Sequence, residues 1–230
     1  MGGLSMLPLV SLRTPRTDET SRSMFVISQA SALFLRDGIA SVRMTDIAEA
    51  SGVGVATLYR HYKTKTSIAI HAGMHMWGIF NDRIRRAIET DAFLDMDGAE
   101  RLMMLFEKYI DAYTAYPEFV RFLDEFDHLV LAEGADPEEL SAYGQAIDSF
   151  YIIFEDAYQL GRADGSVTRR VDFPVLYRTV AHAMMGVAQH LVRGEVIPSD
   201  DFTNGTNELT CIVQMTRYTL GIAEETAGNE

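Results

Sequence analysis

Apolar residues recur at helical spacing over most of this chain. Ile70, Met74, Trp77, Ile84 and Ile88 follow one another at steps of three, four or seven, which places them on one face of a helix. No segment shows the regular alternation of apolar and polar residues that marks a strand. The pattern therefore predicts an all-α fold with one long helix soon after Lys65.

Proline and glycine punctuate the remaining helical pattern. Asp172 and Pro174 have the form of a helix cap followed by a first-turn proline. Gly161 and Gly165 are expected to break the helix that precedes them. The predicted helices after the long one cover residues 99–116, 118–132, 137–160, 172–193 and 206–222.

Residues 45–65 have the pattern of two short helices joined by a glycine turn. Gly52 can adopt the positive φ that ends one helix and redirects the chain. In the second helix Leu58 and Tyr62 are spaced i and i+4, so both are predicted to point inward. Two helices arranged in this way form a helix-turn-helix.

The opposite face of the second helix carries short, hydroxyl-bearing and cationic side chains. A helix in the major groove of DNA reads base edges with its N-terminal residues, while flanking cations bind phosphates. The candidates for base-edge or groove contact are Arg43, Thr45, Val55, Thr57 and Arg60. The candidates for phosphate contact are Tyr59, His61, Lys63 and Lys65.

This segment resembles the TetR family of one-component transcriptional regulators. The matching residues between Arg22 and about Ile68 are Val26-Ile27, Gln29-Ala30, Leu33-Phe34, Gly38, Asp46-Ile47-Ala48, Ser51-Gly52-Val53, Thr57 to Tyr62, and Lys65. The resemblance implies an N-terminal three-helix head with a helix-turn-helix, carried on a larger helical bundle that binds a ligand and dimerises. The expected division is a mobile tail over 1–20, a DNA-binding domain over 21–66, and an effector-binding and dimerisation domain over 67–230. The family's usual activity is repression in the cytoplasm.

The cap of the first short helix departs from the family pattern. Arg43 stands where a Ser or Thr is usual, and its side chain cannot accept hydrogen bonds from free backbone N–H groups. Two interpretations stay open. Either water or a neighbour such as Ser41 caps this helix, or Arg43 is retained for contact with DNA.

The charge of the chain is divided unevenly. Residues 1–65 hold 8 Lys or Arg against 5 Asp or Glu, while the remaining residues hold 12 against 28. A polyanion is attracted to the first part and repelled by the second. The N-terminal part is therefore the one predicted to meet double-stranded DNA.

Several other classes of protein find little support in the sequence. No apolar run reaches the eighteen residues of a membrane span, and residues 1–20 lack the features of a signal peptide. The single cysteine, Cys211, excludes an intrachain disulfide and is predicted to be buried in an apolar run. His71 and His75 have no Cys, Asp or Glu ligand at matching spacing, so no metal site or cofactor is predicted. The sequence also lacks a nucleophile elbow, a phosphate loop and HExxH, so an enzyme is not expected.

Two stripes of small and apolar residues lie on the predicted helices 172–193 and 206–222. In the TetR family these two helices pair with their copies to form a homodimer, whose two heads would read sites about 34–36 Å apart. The alternative is that both stripes face the protein's own core. The candidate interface residues are Val180, Ala183, Val187, Leu191, Ile212, Met215, Thr216 and Thr219.

The bundle is rich in aromatic and methionine residues, most of which are expected to be ordinary core. Pockets for small ligands are apolar with a few convergent polar groups. A small apolar or aromatic effector fits this composition best. The candidate pocket residues are Trp77, Phe106, Tyr113, Phe122, Phe126, His128, Tyr151, Phe154, Tyr158, His182, Met185 and Gln189.

These features together predict a ligand-responsive, homodimeric DNA-binding regulator, with repression of a palindromic operator as the leading hypothesis. The alternatives are a helical small-molecule binding protein without specific operator binding and a sequence-independent architectural protein.

Overall fold

The computed structural model describes residues 19–194 and 205–223. The described helices are α1 (Glu19–Asp37), α2 (Met44–Ser51), α3 (Val55–Tyr62), α4 (Lys65–Ile88), α5 (Asp91–Leu94), α6 (Gly98–Ala115), α7 (Pro117–Glu133), α8 (Pro137–Asp164), α9 (Phe173–Arg193) and α10 (Gly205–Leu220). The described ranges contain no strand, and the predicted all-α fold is confirmed. Residues 1–18 of the predicted tail lie outside these ranges.

Packing divides the chain into two compact units. Among the described residues, the first unit contains 19–80 and 115–147, and the second contains 81–114, 148–194 and 205–223. The helices α4 and α8 contribute residues to both. The tail, head and bundle predicted from the sequence, with boundaries after residues 20 and 66, remain a prediction.

The first unit has an apolar core to which the three head helices all contribute. Phe34 of α1, Ile47 of α2 and Leu58 of α3 are each no more than 1% exposed. Farther along the unit, the indole N–H of Trp77 donates to the hydroxyl of Tyr143 at 3.0 Å. The head is thus held by continuous apolar packing.

The second unit is centred on aromatic rings. Phe106 and Phe154 lie with their centroids 4.9 Å apart, and Tyr109 lies 5.1 Å from Phe154. The hydroxyls of Tyr109 and Tyr177 are 2.7 Å apart and buried. Burial raises the pKa of both Tyr109 and Tyr177, so both hydroxyls stay protonated and one donates a hydrogen bond to the other.

Gly161 does not break a helix as predicted. The helix α8 continues through it to Asp164, and Gly165, with φ 86°, is the residue at which the chain turns. A Cβ on Gly98 would lie 1.9 Å from the backbone nitrogen of Gly161. The prediction was wrong because this pair of glycines serves close helix contact, a tertiary reason that local sequence does not reveal.

Candidate nucleic-acid interface

The inward face of α3 fixes the helix on the head. Leu58 is 1% exposed and Tyr62 is 7% exposed, which confirms their predicted orientation. The Tyr62 hydroxyl lies 2.7 Å from Oγ of Ser23 on α1. Its ring meets the edge of His71 on α4 at 5.4 Å between centroids. Tyr62 therefore ties α3 to the helices on either side.

The outward face of α3 is open to solvent. Tyr59 is 49% exposed and Val55 is 37% exposed, although both are large apolar residues. Arg60 and His61 are exposed, whereas Thr57 is half-buried. This face has the small Ala56 side chain near the start of the helix and the cation Arg60 near its end, which is the arrangement that a groove-reading helix needs.

The turn between α2 and α3 is set by its glycines. Gly52 has φ 66° and ψ 26°, and its left-handed conformation ends α2 as the sequence predicted. The N–H of Val53 then donates to the carbonyl of Ala48 at 3.1 Å. Gly54, in an extended conformation, precedes α3 directly.

Asp46 resolves how α2 begins. Its carboxylate accepts the backbone N–H of Arg43 at 2.9 Å and also the Arg43 guanidinium, with Nη2 2.9 Å from Oδ1. Hydrogen bonds from Arg43 lower the pKa of Asp46, so this carboxylate stays charged. Asp46, rather than Ser41, makes the side-chain contact at this cap. The Arg43 side chain is 79% exposed, and its contact with DNA stays a prediction.

The link between α3 and α4 has an unusual backbone. Lys63 has φ 58° and ψ −48°, the only positive φ outside glycine in the described residues. The N–H of Thr64 donates to the carbonyl of Tyr62 at 2.5 Å across it. This is a γ-turn with the less common sign of φ, which is strained. The Lys63 side chain is exposed.

Lys65 already has a partner within the protein. Its ammonium donates to the backbone carbonyl of Ile39 at 2.9 Å, and the residue is half-buried. The sequence predicted phosphate contact for Lys65, and that role stays a prediction. Thr45 is exposed on α2.

A groove of about 440 Å³ lies beside α3. Arg22 and Met24 of α1 form one side, and Thr57 and His61 of α3 form the other. Met24 is 62% exposed. The sequence did not predict this groove.

The predicted effector-pocket residues fall into separate groups. In the first unit the rings of Phe122 and Phe126 stack at 5.9 Å, and Trp77 packs edge-on against Phe119 at 5.1 Å. In the second unit Phe106, Tyr113 and Phe154 are buried. Of the remaining candidates in the second unit, Tyr158 is buried, while Tyr151, Met185 and Gln189 are half-buried.

Two of the polar pocket candidates are surface residues. The His128 side chain is 72% exposed, and His182 is exposed on α9. Because both side chains are exposed to solvent, they do not fit the predicted interior pocket. Each histidine lies on the side of its helix opposite the buried residues, which on α7 include Phe122 and Phe126. Tyr113 remains as a buried hydroxyl, with its pKa raised by burial and by Tyr177.

The predicted interface residues divide by exposure. Ala183, Met215 and Thr219 are exposed, while Val187, Leu191 and Ile212 are half-buried. Val180 and Thr216 are only 4% and 3% exposed, so assigning these two to an interface was wrong. They belong to the contact between α9 and α10 within one chain.

Cys211 is exposed, contrary to the prediction. The buried stripe of α10 runs through Leu209, Val213, Thr216 and Leu220. Cys211 lies between these positions and projects on the other side. The apolar composition of the run concealed this two-sided pattern.

The described residues give no group of three or more His, Cys, Asp or Glu side chains that could hold a metal ion. In this part of the chain no helix is both long and apolar enough to cross a bilayer.

Residues 26–72 match the model of bacterial regulatory proteins of the tetR family. The similarity to this family covers the segment from α1 to the start of α4. No curated protein sequence matches this chain.

Solved TetR-fold structures extend the likeness over nearly the whole chain. A transcriptional regulator from Saccharomonospora viridis, in complex with choline, has a TM-score of 0.63 at 22% identity and covers 86% of this chain and 97% of its own. Thermus thermophilus FadR, a repressor in complex with lauroyl-CoA, has a TM-score of 0.60 at 18% identity, covering 91% and 100%. FadR from Bacillus subtilis, in complex with stearoyl-CoA, has a TM-score of 0.58 at 16% identity, and the match covers 83% of this chain and 97% of that protein. At these identities the likeness establishes the fold.

Proposed function

We propose that this protein is a homodimeric transcriptional repressor that leaves a palindromic operator when a small apolar or aromatic effector binds. The observation that carries this proposal is the two-sided character of α3. Leu58 and Tyr62 are buried, while Val55, Tyr59 and Arg60 are exposed. The helix is thereby held firmly and offers its remaining face to the major groove. The site of action is chromosomal DNA, which implies a cytoplasmic protein.

Charge supports the same assignment. The candidates Arg60, His61 and Lys63 are exposed together at the end of α3. Lysine and arginine side chains in this position neutralise phosphates and release counterions, which makes binding dependent on salt. The acidic remainder of the chain discourages contact elsewhere.

The exposed side of α9 and α10 supports dimerisation. Met215 and Tyr218 are 57% and 73% exposed, and Val175 is 51% exposed. Apolar side chains of this size on neighbouring helices are typical of a surface that a second copy covers. A twofold dimer also supplies two recognition helices, which a palindrome requires.

The aromatic core of the second unit supports an apolar effector. Phe106, Tyr109, Tyr113 and Phe154 offer ring surface with only hydroxyls as polar groups. The acyl-CoA ligands of the two FadR proteins contain long apolar chains, and choline is a cation that aromatic rings can attract. An apolar or aromatic compound fits the uncharged rings best.

The effector must bind the DNA-competent and released arrangements with different affinity. Typical couplings between two sites are about 1–3 kcal/mol. Only Lys63 and Thr64 separate α3 from α4, which extends to Ile88, so a change along α4 reaches the head through a short covalent link.

A gel shift with the DNA upstream of the protein's own gene tests the DNA-binding part. We expect a shift that survives scrambled competitor and weakens with salt. Arg60→Ala should reduce it, whereas Arg86→Ala, at an exposed arginine outside the head, should not. If scrambled competitor removes the shift, the protein binds DNA without sequence preference, as an architectural protein does. If no shift forms at all, a small-molecule binding protein without operator recognition is favoured.

Sedimentation of Met215→Glu tests the dimer. A charge at this exposed site should produce monomers and abolish the specific shift. Ile152→Glu is the matched control, since Ile152 is 62% exposed on α8. A Met215→Glu protein that stays dimeric would move the interface elsewhere.

A further inference from the structure

Two charged residues of α7 complete the end of α1. The last carbonyl groups of a helix have no partner within that helix. The carbonyl of Leu35 is one of these, and Nη2 of Arg121 donates to it at 2.5 Å. The N–H of Ile39, just past the turn, donates to Oε2 of Glu125 at 2.5 Å. Thus α1 receives its C-terminal cap from a helix about 86 residues away.

The turn at Gly38 is shaped to receive this pair. Gly38 has φ 82°, and a Cβ there would lie 2.9 Å from Oε1 of Glu125. Nε of Arg121 lies 3.9 Å from the same oxygen, so the two side chains also form an ion pair one turn apart on α7. Close by, the rings of Phe34 and Phe122 stack at 6.1 Å. We call Arg121 and Glu125 together the α1 latch.

The start of α4 is held in a similar way. Oγ1 of Thr66 donates to Glu133 at 2.6 Å, and Oγ of Ser67 donates to Glu139 at 2.6 Å. Both hydroxyl residues are buried, at 3% and 6% exposure. Carboxylates near a helix N-terminus are also favoured by the helix dipole. Both helices that flank α3 are therefore tied to the segment 117–139.

Tyr62 connects α3 to both of these flanking helices. Its hydroxyl meets Ser23 of α1, and its ring meets His71 of α4. A displacement of α7 that breaks the α1 latch would change the position of the C-terminal end of α1, and α1 would carry this change to α3 through the contact between Ser23 and Tyr62. Such a displacement would tilt α3 without unfolding the head.

We propose that the α1 latch is the device by which α7 sets the orientation of the recognition helix, with Arg121 and Glu125 as positioning residues. This inference rests on the proposed function, because orientation matters only if α3 reads DNA. In this proposal the protein changes between two regulatory states when two hydrogen bonds form or break: the one from Arg121 to the Leu35 carbonyl and the one from the Ile39 N–H to Glu125.

Hydrogen exchange in the full-length protein, without DNA, measures the latch directly. Glu125→Ala should speed exchange of the amides between residues 35 and 41 by about tenfold, which corresponds to the loss of one hydrogen bond to a charged group. Arg121→Ala should act on the same amides, and the double variant should add little. Glu138→Gln is the charge-matched control, since Glu138 is exposed on α8.

Affinity for the upstream duplex measures the consequence. At a temperature where all variants are folded by circular dichroism, Glu125→Ala should bind about tenfold more weakly, and Glu138→Gln should bind like the unchanged protein. Exchange that stays at the original rate in Glu125→Ala would overturn the latch. Faster exchange with full affinity would overturn its role in positioning α3.

Two further outcomes are informative. If the unchanged protein does not prefer the upstream duplex over scrambled DNA, the proposed function fails, and the exchange rates still support or overturn the latch. If Glu125→Ala does not fold, Glu125→Gln replaces it. The amide retains an acceptor for Ile39 but not the ion pair, so an intermediate exchange rate is expected and an unchanged rate counts against the latch.

Discussion

The hydroxyl of Tyr62 on the recognition helix lies 2.7 Å from the hydroxyl of Ser23 on α1. Tyr62 is nearly buried, and its ring also packs against His71. One side chain thus links the three helices α1, α3 and α4.

Tyr62→Phe should lower the free energy of unfolding by about 1 kcal/mol, because it removes one hydrogen bond while keeping the ring. Ser23→Ala should have a similar effect. In a double-mutant cycle followed by urea unfolding, the two effects should be far from additive. Strict additivity would mean that the contact contributes nothing in solution.

Leu58→Ala should destabilise the protein by about 2–5 kcal/mol, because Leu58 is fully buried at the centre of the head. Tyr59→Ala is the matched control on the outward face of the same helix. It should change stability by less than about 0.5 kcal/mol while weakening DNA binding. Equal losses of stability in the two variants would contradict the orientation of α3.

Lys63→Gly should separate stability from DNA binding. Glycine adopts positive φ without strain, which should raise the free energy of unfolding by about 1–3 kcal/mol. Glycine also loses more conformational entropy on folding, which lowers the free energy of unfolding by about 0.5–1 kcal/mol, so the net change should be stabilising. The lost charge should weaken binding to all duplexes alike and reduce the salt dependence by about one phosphate contact. A stabilised variant with undiminished affinity would remove Lys63 from the phosphate contacts.

His75 should make the protein less stable in mild acid. Burial lowers its pKa below the 6.5 of the unfolded chain, so the unfolded state takes up a proton first as the pH falls. Well above pH 6.5 both states are neutral and His75 makes no difference to stability. Below it the free energy of unfolding should fall more steeply in the original protein than in His75→Gln. Parallel pH profiles would rule out this contribution.

The local sequence pattern was sufficient to predict those parts of the fold that depend on contacts between residues close together in the chain. The spacing of Leu58 and Tyr62, with Gly52 before them, predicted the helix-turn-helix and its buried face. Asp172 and Pro174 predicted the start of α9, where the Asp172 side chain accepts from the N–H of Val175 at 3.3 Å.

Contacts between distant residues could not be predicted in this way. Glu125 reaches Ile39 across 86 positions, and neither residue is unusual in its own segment. Gly161 has the same local signature whether it ends a helix or allows Gly98 to approach. Cys211 and His182 lie in largely apolar helices whose rotation is set by packing, so their exposure became evident only in the folded chain.

The γ-turn at Lys63 makes the link between α3 and α4 short and rigid. A longer connection would absorb small rotations of α4 in its own dihedral angles. Here a single residue, already at an unfavourable φ, separates the end of α3 from Thr64, and it has little freedom left to absorb them. We therefore expect a rotation of the first turn of α4 to be transmitted to α3, and under the proposed function this would change the angle of α3 in the major groove.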